Sequence, residues 1–122
     1  MKLFVKNETS RLKSVLLGNA NNIEKKPNIH QTYDPLSIIN LKRGTYPKKS
    51  ELIKELTSYK KALEINGVDV YELDSVQNCN QIFARDIGFV VEDYFFISNI
   101  LPLRHKEING LNSMIKKIDN SK

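Results

Sequence analysis

Arg85 and Asp86 stand together at the entrance of an apolar run, Ile87-Gly88-Phe89-Val90-Val91, and follow Asn80-Gln81-Ile82-Phe83-Ala84. A charged pair at the mouth of a strand costs desolvation unless it is hydrogen-bonded, ion-paired or wet. Junctions between loop and strand are also where a rigid scaffold presents ligand-binding groups. A fixed carboxylate is the natural partner of a planar guanidinium, because two oxygens match two parallel N–H donors. Two accounts of the pair therefore stand. Either Asp86 grips a flat cation, or the two residues start a strand and make surface ion pairs.

The single cysteine, Cys79, and the two histidines, His30 and His105, are the other groups suited to nucleophilic or proton-transfer chemistry. A thiolate activated by histidine is a common catalytic device, but neither histidine stands in a nucleophile motif. A structural, partly buried thiol is the competing account of Cys79. A lone cysteine makes no internal disulfide, in keeping with a reducing compartment. These three residues do not form a cluster at zinc spacing, and no glycine-rich nucleotide loop is present. No metal and no cofactor is expected.

The elements that must position these groups follow from periodicity. Leu12 to Leu17, closed by Gly18, reads as a short buried strand. Residues 19–49 are polar and rich in proline and asparagine, and they read as a long irregular excursion, a substrate-covering loop or a floppy one. Ser50 offers a helix N-cap with Glu51 in the first turn, and Leu52, Leu56, Tyr59 and Leu63 follow as one apolar stripe. Asn66-Gly67 ends that helix, and Val68 to Leu73 alternates as a strand with one buried face. Asp74 to Gln81 is turn-like. Gly88-Val91 and Tyr94-Ile97 flank Glu92-Asp93 as a β-hairpin. After Pro102 a second helix is expected from about Arg104 to Ile118, striped by Ile108, Leu111, Ile115 and Ile118 and slightly weakened by Gly110. Only Asp119-Asn120-Ser121-Lys122 follow it, so the chain reads as unfinished, with a marginal core.

Composition narrows the classes. At 122 residues, 40% hydrophobic and 27% charged, the chain fits one small globular domain. No apolar stretch approaches the roughly 20 residues needed to cross a bilayer, and charge interrupts the N-terminus too early for a secretory leader. A soluble, cytoplasmic protein with no membrane partner is expected. The net charge of +5 comes mainly from scattered lysines with no stacking aromatics between them, so no nucleic-acid partner is expected.

The segment from Gln81 to Val91 resembles the N-terminal signature of the amidinotransferase and arginine deiminase superfamily, the penteins. Glu8 to Gly18 is similar to that family's first strand, and Gly44-Thr45-Tyr46-Pro47, the helix after Ser50 and Asn66 to Tyr71 also fit. The resemblance covers nearly the whole chain and is most specific around Asp86. It implies an incomplete α/β propeller of about two blades, each of mixed strands with a helix, formed by residues 1–122 as the N-terminal part of one domain. It further implies that Asp86 holds a substrate guanidinium, that Phe83 packs on its flat face, and that Arg104 binds a substrate carboxylate, with Glu107 completing an Arg-x-x-Glu pattern. Arg85 is then structural. Asn80 stands where many relatives carry an acidic residue.

In that family a cysteine near the far C-terminus attacks the guanidinium carbon, helped by a histidine and an acidic residue from mid-chain. None of these can be placed here, since Cys79 precedes the Asp86 segment and His105 comes too early. The resemblance therefore implies a substrate-binding piece, inactive alone, of a hydrolase or amidinotransferase acting on an arginine-like small molecule. Self-association, or pairing with the missing C-terminal part, is expected because two open blades leave apolar faces and sheet edges uncovered. The alternatives are a non-catalytic guanidino-ligand or partner-binding module, and an unrelated basic α/β binding domain.

Overall fold

The computed structural model describes residues 2–23 and 26–119. Residues 24 and 25 of the expected loop and residues 120–122 of the closing tail lie outside these. Two short sheets carry the fold. The first pairs β1 (Ser14–Leu17) in parallel with β2 (Asp69–Glu72), in the register Ser14 to Asp69 through Leu17 to Glu72. Parallel strands need a long crossover, and here it contains two helices, α1 (Pro35–Arg43) and α2 (Lys49–Ile65). The second sheet is the antiparallel hairpin of β3 (Gly88–Val91) and β4 (Tyr94–Ile97), with Val91 opposite Tyr94 across a two-residue turn. This is a mixed α/β arrangement, and no closed barrel or propeller is seen among the described residues.

The strands, α2 and the hairpin fall where periodicity places them. The segment 19–49 differs, because it contains α1. Asp34 caps that helix by accepting from the Ser37 N–H at 2.7 Å, and Pro35 fits its first turn, where a missing N–H costs nothing. Gly44, at φ 70°, ends it in a left-handed conformation. A short 3-10 turn, Ile29–Gln31, precedes it. The cap of α2 is also shifted: the Glu51 side chain accepts from the Lys48 N–H at 3.2 Å, so the helix starts one residue before Ser50. None of its residues is buried, and Tyr59, expected on the apolar stripe, is 54% exposed.

The expected helix 104–118 is two elements. Pro102–Leu111 is wound as 3-10 helix, and only α4 (Asn112–Asp119) is α-helical. Asp74, from the loop after β2, caps α4 by accepting from the Ser113 N–H at 2.8 Å. The core gathers between the sheets and this last segment: Leu73, Ala84, Ile87 and Leu111 are buried, with Leu16, Phe95, Ile100, Ile108 and Ile115 against them. Gly110 is there for contact, since a Cβ on it would come within 2.5 Å of the Gln81 Nε2. Gly18 is tighter still, with the carbonyl oxygens of Gln81 and Ile82 in its way. Among the described residues no helix is long and apolar enough to cross a membrane.

Gly18→Ala is expected to lower stability by about 2 kcal/mol or more, because the added methyl meets backbone that cannot turn aside. A thermal melt followed by circular dichroism reads this, and an unchanged midpoint would mean that the contact is loose. Hydrogen bonding from Ser113 holds the Asp74 carboxyl below its ordinary range. A carboxylate depressed in the folded state contributes stability above its unfolded pKa and loses it as pH falls through the folded value. Asp74→Asn keeps the acceptor without the charge, so its melting temperature should lie below the parent's at about pH 7 and converge with it near about pH 2. A constant gap would separate Asp74 from the acid dependence.

Candidate functional site

Asp86 sits on a single helical turn, α3 (Ala84–Ile87), rather than at the extended start of β3. Ala84 and Ile87 lie three residues apart and bury on one side of this turn, at 8% and 1% exposure. Arg85 and Asp86 between them face outward, with side chains 86% and 36% exposed. The turn is pinned by the Asp86 N–H to the Phe83 carbonyl and by the Ser98 N–H to the Ile87 carbonyl, each at 3.1 Å. The apolar pair thus anchors the turn, and the carboxylate is carried on its outer side.

Gln81 fixes the approach to α3. It is 1% exposed, and its amide nitrogen donates to the Asp74 carbonyl while its amide oxygen accepts from the Val76 N–H, both at 2.8 Å. Its backbone carbonyl accepts from the Asn19 N–H at 3.0 Å, and the buried Asn19 side chain donates to the Leu73 carbonyl at 3.2 Å. The Asp74 N–H donates to the Gly110 carbonyl at 2.9 Å. Gln81 thereby ties the loop after β2 to the end of β1 through its side chain and its own carbonyl, and Asp74 carries the link on to the 3-10 segment. Sequence reasoning missed Gln81, as a glutamine in a polar loop gives no sign of burial.

The same junction brings together two residues that lie 18 apart. The Arg104 Nη1 donates to Asp86 Oδ2 at 2.9 Å. Its Nε and Nη2 donate to the two oxygens of Glu107, both at 2.7 Å. A 3-10 helix has three residues per turn, so positions i and i+3 are in line and the fork closes within one turn. Glu107 is only 5% exposed. The bonds to Glu107, reinforced by Asp86, hold the Arg104 charge more firmly than in a free side chain, against the opposing effect of burial. The nearby Tyr33, from the segment 19–49, acts in the same sense.

Asp86 Oδ1 has no hydrogen bond among the described residues; Arg85 Nε approaches it at 3.9 Å. The site therefore offers one pinned carboxylate oxygen and one open one. Phe83 precedes the turn and is 48% exposed. A concavity of about 940 Å³ is a different feature, lined by residues such as Phe4, Leu16, Tyr71 and Phe95 but not by Phe83, Asp86 or Arg104. Cys79 is buried, and burial, then the Glu107 charge, push its thiol up in spite of Lys106 and Arg104. Such a thiol is a poor nucleophile at neutral pH.

No family model matches the chain, and no curated protein matches it in sequence. Solved structures do show a likeness, and the fold is similar to part of an amidinotransferase chain. The structure in question is SxtG, an amidinotransferase from Microseira wollei in the saxitoxin biosynthetic pathway, superposed with a TM-score of 0.67 at 16% identity. The match takes in 97% of this chain and 40% of that one, so the chain spans well under half the length of its structural neighbour.

Proposed function

We propose that the chain forms the guanidinium-holding part of a protein that modifies the guanidino group of arginine or a relative, by C–N hydrolysis or amidino transfer. The observation that carries this is Asp86, whose carboxylate is pinned at one oxygen by Arg104 and open at the other. An open, oriented carboxylate oxygen accepts an N–H from a planar cation, and a half-exposed Phe83 beside it adds attraction for a cationic face. Arg104 donates three hydrogen bonds to Asp86 and Glu107, which leaves two of the five N–H groups of a guanidinium for a ligand carboxylate. The likeness to an amidinotransferase fold supports the same ligand class.

On this reading residues 1–122 are the N-terminal part of a pentein domain, about two blades of an α/β propeller, acting in the cytoplasm and completed by further chain or by association. The reaction itself needs a nucleophile and a proton-transfer pair from elsewhere. Cys79 is buried with its thiol pushed up, while His30 and His105 are both exposed, so this chain supplies binding rather than chemistry.

Titration calorimetry with arginine and with methylguanidine tests the anchor. Asp86→Ala is expected to abolish binding, and affinity equal to the parent's would remove Asp86 from the site. The purified chain is expected to release neither ammonia nor citrulline from arginine. Release that Cys79→Ser abolishes would overturn the binding-only role.

A further inference from the structure

We infer that Glu107 is a positioning residue for the guanidinium site: through Arg104 it fixes Asp86 with one oxygen bound to the protein and the other left to the ligand. This deepens the guanidino reading above and rests on it.

The starting point is an ambiguity of chemistry. Asp86 is already bonded to a guanidinium, that of Arg104, which is the same group the proposed ligand would bring. Arg104 is therefore either a competitor that a ligand must expel or a brace that a ligand binds beside. The geometry favours the brace. Arg104 is held at three of its nitrogens, two of them by a single carboxylate in a fork. Expelling it would strand Glu107, 5% exposed, as a buried charge without its partner. Breaking such a pair by removing one member is strongly destabilising.

The charge count points the same way. Asp86 and Glu107 carry two negative charges against the one positive charge of the partly buried Arg104, and the neighbouring groups compensate the second only weakly. The buried Cys79 thiol stays protonated. Lys106 directs its ammonium to the Gln77 carbonyl at 2.7 Å, and Arg85 stands off at 3.9 Å with its side chain 86% exposed. Among the described residues the one cation facing the open oxygen of Asp86 is Arg85, exposed and too far for a hydrogen bond, so solvent screens the pair and that oxygen keeps most of its charge for a ligand. A protein with a net charge of +5 thus holds a local anionic point suited to a single flat monocation.

Methylguanidine tests this, because it has a guanidinium and no carboxylate for Arg104 to recognise directly. Its dissociation constant would be measured by calorimetry on the full chain, for the parent, Glu107→Gln, Arg104→Met and the double variant. If Glu107 acts through Arg104, each single change weakens binding about tenfold, and the double variant is no weaker than Arg104→Met alone. Tighter binding by Arg104→Met would make Arg104 a competitor and overturn the inference, as would additive losses in the double variant. Should Glu107→Gln fail to fold, Arg104→Lys carries the same question, since an ammonium cannot fork Glu107 and reach Asp86 at once. An affinity unchanged by that substitution also overturns it. A parent chain that takes up no methylguanidine sinks the guanidino reading and this inference together. Asp86-dependent binding that Glu107→Gln leaves intact sinks only the positioning role.

Discussion

The arrangement depends on the burial of one amide. Gln81 lies where β1 ends, where the chain leaves β2 and where the 3-10 segment passes, and it carries hydrogen bonds to backbone in the loop after β2 while its own carbonyl receives one from Asn19. A buried amide left unpaired costs roughly 1–3 kcal/mol per group, so its partners are as fixed as it is. The two glycines that allow such close approach, Gly18 and Gly110, lie on two of the segments it joins. From this junction the chain enters α3 in a set direction, and the 3-10 segment passes within reach of it.

Asp86 and Arg104 meet for that reason, and their meeting defines what the site can do. A carboxylate in water rotates freely and binds a guanidinium weakly. One whose far oxygen is held by a braced arginine presents its near oxygen without that loss of freedom on binding. The bracing moves inward from Asp86, 36% exposed at its side chain, through Arg104 at 20% to Glu107 at 6%. The charged groups become better shielded toward the end that is held and wetter toward the end that would meet a ligand.

Much of the scaffold was legible in the sequence, and the reasons for the exceptions are specific. Val68 to Leu73 and the hairpin announced themselves by alternation and by the Glu92-Asp93 turn, and both are present. The helix α1 was signalled by Asp34-Pro35 before it and Gly44 after it, but prolines and asparagines in the flanking stretch made the whole of 19–49 read as loop. The spacing Ile108, Leu111, Ile115 and Ile118 satisfies a stripe whether its first turns have three residues or 3.6, so periodicity could not separate the 3-10 segment from α4. Asp86, Phe83 and Arg104 were each singled out from the residues or the resemblance. That Arg104 bonds Asp86 is not legible in the sequence, because the pairing spans 18 residues and no local pattern signals it.

The polar junction bears more of the site's rigidity than the apolar core does. Among the described residues each sheet has only two strands, so each of these strands keeps an open edge. A two-stranded sheet is marginal unless something packs on it. Here α2 buries none of its residues, and Phe89, Phe96 and Tyr94 on the hairpin stay exposed even though the first two stack at 5.3 Å. The buried apolar cluster that seats α3 consists of Leu73, Leu111 and α3's own Ala84 and Ile87. Such a cluster can seat one helical turn but does not set its orientation, because apolar contact is non-directional. Direction comes from hydrogen bonds, and those that reach α3 and Arg104 are the Ser98 N–H to the Ile87 carbonyl and the bonds of Arg104 to Asp86 and Glu107. A scaffold with open sheets can therefore still hold a carboxylate in a defined pose, provided that its buried polar groups are paired.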